Sequence, residues 1–576
     1  MVHQRRIIAG RNTAGLTSLL VVASLLLAAS PVLSAGEDSG WAGVPREVEV
    51  PSPWLVGPDV PLADGPGSFT PPDNPQVGDS WVWWLWVHSP MPPHFEQHVC
   101  TVRGMSDRGY VVVRDADWMV SIDQADVDQI LESWENSSPG PYSDMGIYEI
   151  DSTAFGVPPD ELDDDPRIYQ LWFDFGISAD GFFFWFDEFP EGATPGYHSN
   201  ECEVLYLNTT SQGGPGGDYM LAVTAHEFEH MIHWKYDDDE ASWVDEGLAE
   251  LAMWFFGRPD VISGFSGNPD NSLVVWEGTW ADYIKTYLWS LYFFERYGGH
   301  PAIYSVLHDP ANSIAGYESV LDQYGYSADF EDVFADWIAA NFLSDTSLAD
   351  GRFGYAGADL PAFNVAGTYA SYPVTDVYKT VNYWAADYYR FQGLDAYDNL
   401  LLSFDGSEGN SFAVWGFVLH EGGETEVHRM TLDPSTQDGA LYLGGFAGSG
   451  DQVILAVGGA SSSGPKGYYF SAEAGTGIQE GESSPPPCTV IQAFPNPFRD
   501  QISLVLTGSS PVIQVDLYDI DGRLVRTLVQ EGTTQGSSIL VWDGFSAAGE
   551  PASPGVYFAI PREATAASAV RLLRLP

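Results

Sequence analysis

The stretch TAHEFEHMIHW, Thr224 to Trp234, sets two histidines four residues apart with a glutamate directly after the first. The spacing predicts a helix on which His226 and His230 lie one turn above each other, so both imidazoles can reach a single ion. Glu227 is turned by about 100° from His226. That takes its carboxylate out of the ligand set and leaves it beside a water that the ion would activate, where it can accept a proton as the water attacks a carbonyl. Zinc is the ion that suits two imidazoles. A plain acidic helix with histidines close by chance is the competing reading, and context has to decide between them.

A zinc ion that does chemistry takes three protein ligands and keeps a fourth position open. One arrangement continues the same helix with a glycine seven places and a histidine ten places after the first histidine; those places hold His233 and Tyr236, so it fails. The other arrangement takes a glutamate from a later helix. SWVDEGLAELAMWFF supplies Glu246, sixteen residues beyond His230, after a loop, KYDDDEAS, able to reverse the chain. Glu250, one turn further on, is placed to accept a hydrogen bond from the far nitrogen of a ligand histidine and so fix its tautomer. His233 reads as structural or pocket-lining, because Glu246 completes the set. Tyr283 and Tyr287, in ADYIKTY, are candidates for steadying a developing negative oxygen, against a plain core role for both.

Outward from this pair of helices the pattern divides the chain. SWVWWLWV, GYVVVRDADW, RIYQLWFDF and CEVLYLNTT read as strands before the histidine helix, with an amphipathic helix at DQADVDQILESWEN, where Val127, Ile130, Leu131 and Trp134 share a face. WADYIKTYLWSLYFFERYGG and DFEDVFADWIAANFLSD continue as helices. DNLLLSFDG, SFAVWGFVLHEGG and DQVILAVGG then return to short strands, as in a sandwich. GTGIQEGESSPPPC reads as an extended linker, and PVIQVDLYDIDGRLVRTL as a hairpin turning at Asp521-Gly522. The expected division is a signal over 1–35, a β-rich region over 36–150, a mixed unit over 151–345, a β-sandwich over 346–475, a linker over 476–488 and an immunoglobulin-like domain over 489–576.

Charge narrows the partners. The chain carries 23 Lys and Arg against 80 Asp and Glu, a net −57, and its lysines are Lys235, Lys285, Lys379 and Lys466. Such a surface repels nucleic acid and anionic membrane and keeps a secreted protein soluble. Arg5, Arg6 and Arg11 precede an apolar run from about Ala14 to Ala29 and small residues up to Ala35, the plan of a secretory signal too short to span a bilayer comfortably. No later stretch is long enough for a transmembrane segment. Cys100, Cys202 and Cys488 are an odd set, with Cys100 and Cys202 as candidates for a bridge. Asp160, Asp163, Asp164 and Asp165, in PPDELDDDPR, are either hard-oxygen ligands for Ca2+ or a plain acidic turn.

HEFEHMIHW followed by WVDEGLAEL resembles the gluzincin metallopeptidases. STAFGVPPDELDDDPRIYQLWFDF, SNECEVLYLNT, NPDNSLVVWEG and FADWIAANFLSD are similar to the hyicolysin-like neutral zinc peptidases, over roughly 150 to 345. The resemblance implies that His226, His230 and Glu246 bind Zn2+, that Glu227 is the general base, and that protein or peptide substrates are cut internally. The run Asp237 to Glu240 is unusually charged for that pattern. AFPNPFRDQISLVL, VDLYDIDGRLVRTL, WDG, GEPASPGVYFA and AVRLLRLP resemble the immunoglobulin-like sorting domain of type IX secretion, a form shared with the flagellar hook-capping family. That implies contact with secretion machinery and a place outside the cell, released or surface-attached; a stalk-like β module is the plainer reading. The expected fold is therefore multidomain: an α+β zincin-type metallopeptidase domain flanked by a β-rich N-terminal region, a β-sandwich and an immunoglobulin-like β-sandwich. The expected function is a secreted zinc-dependent endopeptidase, with a surface adhesion or binding protein holding an inert or structural zinc site as the alternative.

Overall fold

A computed structural model describes residues 71–576 apart from 89–91, 161, 164, 461–462, 477–488, 500, 509–511, 520–522, 532–535, 548, 562–569 and 576. The expected signal, residues 36–70 of the β-rich region, Cys488, Asp164 and all but the first residue of the linker lie outside these described residues.

Six strands build the first sheet. β1 (Ser80–Val87), β2 (His94–Met105) and β3 (Gly109–Arg114) pair antiparallel in turn. β3 then runs parallel to β4 (Ile168–Phe173), and β4 parallel to β6 (Val204–Asn208). β5 (Gly181–Phe183) closes the far edge, antiparallel to β6. A parallel β3–β4 pair needs a crossover, and it is made by α1 (Gln124–Glu135) and α2 (Ile147–Ala154). The sheet crosses the division expected at residue 150: β3 and β4 stand on either side of it and are bonded neighbours. The strands are buried on both faces, which the continuous apolar runs already require. Val111, Val113, Trp172 and Leu205 face a helical core, whereas Tyr110, Val112, Leu171 and Tyr206 face an aromatic one with Trp83, Phe182 and Phe186.

The helical core holds α3 (Asp218–Tyr236), α4 (Ser242–Phe256), α5 (Trp280–Arg296), α6 (His300–His308), α7 (Ile314–Tyr324) and α8 (Phe330–Leu343). α4 ends where Gly257 takes the left-handed conformation (φ 100°) and returns its N–H to Met253 and Trp254 carbonyls, the usual glycine helix stop. The same core runs on into the next unit. Trp415 Nε1 donates to the Ala335 carbonyl at 2.9 Å and Tyr388 Oη to the Ile338 carbonyl at 2.7 Å, so α8 covers one sheet of the sandwich. Truncating such a buried aromatic costs about 3–5 kcal/mol.

Strands between Gly367 and Gly475 form sheets of four and five strands around their own core of Phe404, Phe470, Leu455 and neighbours. Strands from Thr489 to Arg574 form a last pair of sheets, of three and four strands, around Trp542, Leu517 and Leu572. The expected hairpin is present as Val512–Asp519 paired with Leu524–Glu531, although its turn, 520–522, is outside the described residues. The protein is thus multidomain and β-rich, with eight α-helices among the described residues and a C-terminal immunoglobulin-like domain. None of those helices is long and apolar enough to cross a membrane.

Cys100 and Cys202 are both fully buried and not bonded to one another or to any described cysteine. Their candidate bridge is therefore not formed, and burial pushes both thiols up from the ordinary range.

Candidate metal centre

α3 presents its histidines toward α4, and α4 returns alongside after a five-residue reversal, 237–241. The acids of that loop anchor it: Glu240 accepts from the backbone N–H groups of Ala241 and Ser313. At its C-terminal end α3 is tied down by Lys235 Nζ, which donates to the Pro158 carbonyl at 2.8 Å, and by Tyr236 Oη, which accepts from Val157 N at 3.2 Å.

His226, His230 and Glu246 converge. Nε2 of His226 and Nε2 of His230 are 3.1 Å apart, and Glu246 Oε2 is 3.6 and 3.9 Å from them. A triangle with those sides has its centre about 2.1 Å from each corner, the distance zinc keeps from imidazole nitrogen and carboxylate oxygen. The donor set, two imidazoles and one carboxylate, also fits that ion. All three residues are at most 8% exposed, so the set lies in a site largely sheltered from water.

The far nitrogens are held as well. His226 Nδ1 lies 3.5 Å from Glu250 Oε1, the partner the spacing predicts. His230 Nδ1 lies 2.9 Å from Asp245 Oδ1, a partner the sequence reading missed. A proton on each Nδ1 leaves each Nε2 lone pair facing the centre. The signal for Asp245 was its place directly before Glu246, on a helix already known to pack against α3.

His233 stays out of the donor set. Its Nδ1 is 3.2 Å from Glu229 Oε1 and 3.2 Å from Asp245 Oδ1. Burial lowers its imidazole, but the Glu229 and Asp245 carboxylates outweigh that and bring it up to about 9. Glu229 is itself raised by burial, against the pull of His233. Glu229, His230 and Asp245 form a second close group of donors, but it competes with the first for His230.

Glu227 is fully buried beside the pair. Gly181, the first residue of edge strand β5, packs so tightly on it that an added Cβ would meet Glu227 Oε1 at 2.6 Å. Of the two tyrosine candidates, Tyr283 is brought near, its ring centroid 6.4 Å from that of His226 and its ring nearly perpendicular to that of Trp276. Tyr287 is buried with Glu250 in its surroundings, and burial and that carboxylate raise its hydroxyl well above its ordinary value. Beside β5, Phe183, Phe189 and Trp234 form an aromatic shelf, with ring centroids 6.2 and 6.0 Å from Trp234.

Two acids of the run 160–165 have partners of their own. Asp165 accepts from the Tyr110 hydroxyl at 2.7 Å and sits 3.5 Å from the Arg167 guanidinium, and Asp163 Oδ1 accepts from Asp165 N at 2.9 Å.

Residues 497–560 match the FlgD Ig-like domain family. No curated protein matches the chain by sequence. Among solved structures it is similar to PorZ, an essential surface component of the type-IX secretion system of Porphyromonas gingivalis, at 19% identity over 19% of this chain and 14% of that one, TM-score 0.12. It is also similar to dimeric latent PorU of the same organism, at 16% identity over 29% and 16%, TM-score 0.15. A third likeness is a β-1,2-glucanase of Parabacteroides distasonis, at 9% identity over 35% and 32%, TM-score 0.14. The chain matches only a minor part of each, and likenesses at these scores carry no functional assignment. What the sheets and the sequence match define is a multidomain chain, mixed α/β in its first half and β thereafter, that ends in an immunoglobulin-like domain.

Proposed function

We propose that the protein is an exported zinc-dependent endopeptidase. The observation that carries the reading is the convergence of His226, His230 and Glu246 at zinc-ligand spacing, with Glu227 buried beside them. When bound, zinc supplies Lewis-acid activation of water and of a carbonyl. Glu227 takes a proton from the attacking water and returns it to the leaving amine. Glu250 and Asp245 hold the two imidazoles in the tautomer that keeps both Nε2 lone pairs inward. Tyr283 is the candidate donor to the oxygen that becomes negative.

The neighbourhood supports an extended polypeptide as substrate. Among the described residues β5 pairs only with β6, so its outer edge offers backbone groups to an added strand. The Phe183, Phe189 and Trp234 shelf gives such a strand an apolar place for one side chain. We also infer that the C-terminal domain is the export address, recognised by secretion machinery and leaving the protein secreted or on the cell surface. The support is the immunoglobulin-like match over 497–560 together with the sorting-domain resemblance of the last residues.

Purified protein is expected to carry about one zinc and to cleave an unstructured protein such as casein. Glu227→Gln should keep the metal and lose roughly 10²- to 10⁴-fold in turnover. Undiminished cleavage by that variant removes the proposed base. Zinc without cleavage of any protein substrate leaves the adhesion or binding reading standing instead.

A further inference from the structure

The sandwich between Gly367 and Gly475 turns one face of its four-stranded sheet to solvent. In the strand Lys466–Gly475, Tyr468, Phe470 and Ala472 enter the core, so Tyr469 and Ser471 stand on the outer face. The register then lines up a row straight across the sheet. Tyr378 of Val374–Val381 is opposite Tyr469, Tyr469 is opposite Asp405 of Asn399–Gly406, and Asp405 is opposite Asp438 of Asp438–Gly444. Four strands make that row roughly 14 Å long. A second row runs beside it: Ser471 is opposite Ser403, and a register shift brings Asp376 against Ser471, whose Oγ accepts from Asp376 N at 2.9 Å. Asp376, Ser403, Asp405, Tyr469 and Ser471 line an open concavity of about 400 Å³.

The two tyrosines stand in water. Tyr378 is 57% exposed and Tyr469 45%, with ring centroids 5.0 Å apart. Tyr378 lies down on the sheet because its diagonal neighbour Gly467 has no side chain: a Cβ there would meet Tyr378 Oη at 2.8 Å and Cε2 at 3.2 Å. One face of the ring rests on the strand and the other is offered outward.

Exposed rings in a frame of carboxylates and hydroxyls suit a ligand that is apolar and hydroxylated at once. A pyranose is such a ligand. Its C–H groups meet the electron-rich face of an aromatic ring, and the hydroxyls on its rim donate to carboxylates in charge-assisted bonds. We propose that this face binds a neutral polysaccharide, with sugar rings laid on Tyr378 and Tyr469 and hydroxyls bonded to Asp376 and Asp405. Charge excludes an acidic polymer. The four strands contain two cations, and both are engaged elsewhere: Lys379 Nζ lies 6.0 Å over the core ring of Tyr389, and Lys466 Nζ donates to the Ser463 carbonyl. A protein partner fits less well, since a stable interface has an apolar centre and the neighbours of these rings along the two rows are carboxylates and serines. A bare cation fits less well too, because rings left half in water hold one weakly. The site tethers the chain to a glycan surface without using the zinc donors or Glu227, so it does not rest on the peptidase reading.

The test is native affinity electrophoresis of the full chain in gels cast with hydroxyethylcellulose, glucomannan, laminarin or, as the acidic control, polygalacturonate. At least one of the three neutral polymers is expected to retard the wild type, and polygalacturonate is not. Tyr378→Ala and Tyr469→Ala should each weaken that retardation about tenfold or more, with Tm within about 2 °C of wild type because both side chains are largely in solvent. The double variant Tyr378→Phe, Tyr469→Phe should keep binding within about threefold, since ring faces carry the contact. Gly467→Ala, which leaves both tyrosines in place but lifts the ring of Tyr378, should weaken binding as Tyr378→Ala does. A wild type that runs freely through all three neutral polymers overturns the site, as does retardation that survives in the two alanine variants. Retardation by polygalacturonate alone, or retention on immobilised choline without retardation by any neutral polymer, overturns it as well.

Discussion

Gly181→Ala gives the sharpest test of where Glu227 stands. An ideal Cβ on Gly181 would lie 2.6 Å from Glu227 Oε1, 2.8 Å from Cγ and 3.0 Å from Cδ, whereas ordinary contact begins near 3.4 Å. The carboxylate or strand β5 must therefore give by about 0.8 Å. Gly181 has no positive φ, so alanine meets no backbone strain and the clash is the whole effect. A misplacement of about 1 Å at a reacting group costs on the order of 10²-fold, close to 2.7 kcal/mol of barrier. The three atoms nearest the new methyl all belong to Glu227, none to His226, His230 or Glu246. Steady-state kinetics on an internally quenched peptide should show kcat down about 10²-fold and KM within about threefold, with zinc content unchanged by elemental analysis. A kcat within about threefold of wild type at full zinc occupancy would mean that Glu227 is not the base or does not face β5. Loss of zinc along with activity would equally refute the reasoning, since the clash would then act on the donors.

Glu246→Ala should weaken zinc binding by more than about 100-fold and His233→Ala by less than about tenfold, measured by competition with a chromophoric chelator; equal losses would mean that the donor set is wrongly drawn. Trp234→Ala should raise KM by roughly tenfold for peptides with an aromatic side chain near the scissile bond and leave small-residue peptides unaffected; a uniform change would dissolve the shelf as a recognition site. Burial raises the Asp336 carboxyl from 3.8 to about 6, against the pull of Arg352 and Arg429. The folded state thus holds this proton more tightly than the unfolded chain, so its contribution to stability is full below 3.8 and lost as pH rises through about 6. Tm should accordingly fall less steeply between pH 4 and about 6.5 in Asp336→Asn than in wild type, and parallel curves would sink the assignment.

How far the sequence could be read depended on the range of the interaction. His226, Glu227 and His230 are related by helix geometry alone, and Glu246 with Glu250 repeats the same one-turn logic on the next helix, so their mutual placement was legible. Asp245 was not, because its partner His230 is fifteen residues away and only the packing angle of α3 on α4 turns that carboxylate toward Nδ1. Gly181 gave no local signal at all: its role is to let a strand approach a helix 46 positions on. That one sheet crosses residue 150 was hidden for a related reason. β1 and β3 were read as strands and β2 was not, and nothing in the residues of β3 reveals that it takes β4, beyond a two-helix crossover, as its parallel neighbour.

One compositional fact governs how the interior accommodates its acids. With 23 basic side chains against 80 acidic ones, the chain has few cations to place inside. Among the described residues the one buried lysine or arginine is Lys285, and it is committed to Asp282 at 2.5 Å and to the Asn271 and Val275 oxygens. Other interior carboxylates must be neutralised in other ways. Asp387 does so with the hydroxyls of Tyr389 and Tyr468, at 3.0 and 2.9 Å, and burial raises it toward the protonated form. Glu246 has two imidazoles beside it, which suits a shared metal ion better than a proton, because both Nδ1 atoms are already turned to Glu250 and Asp245.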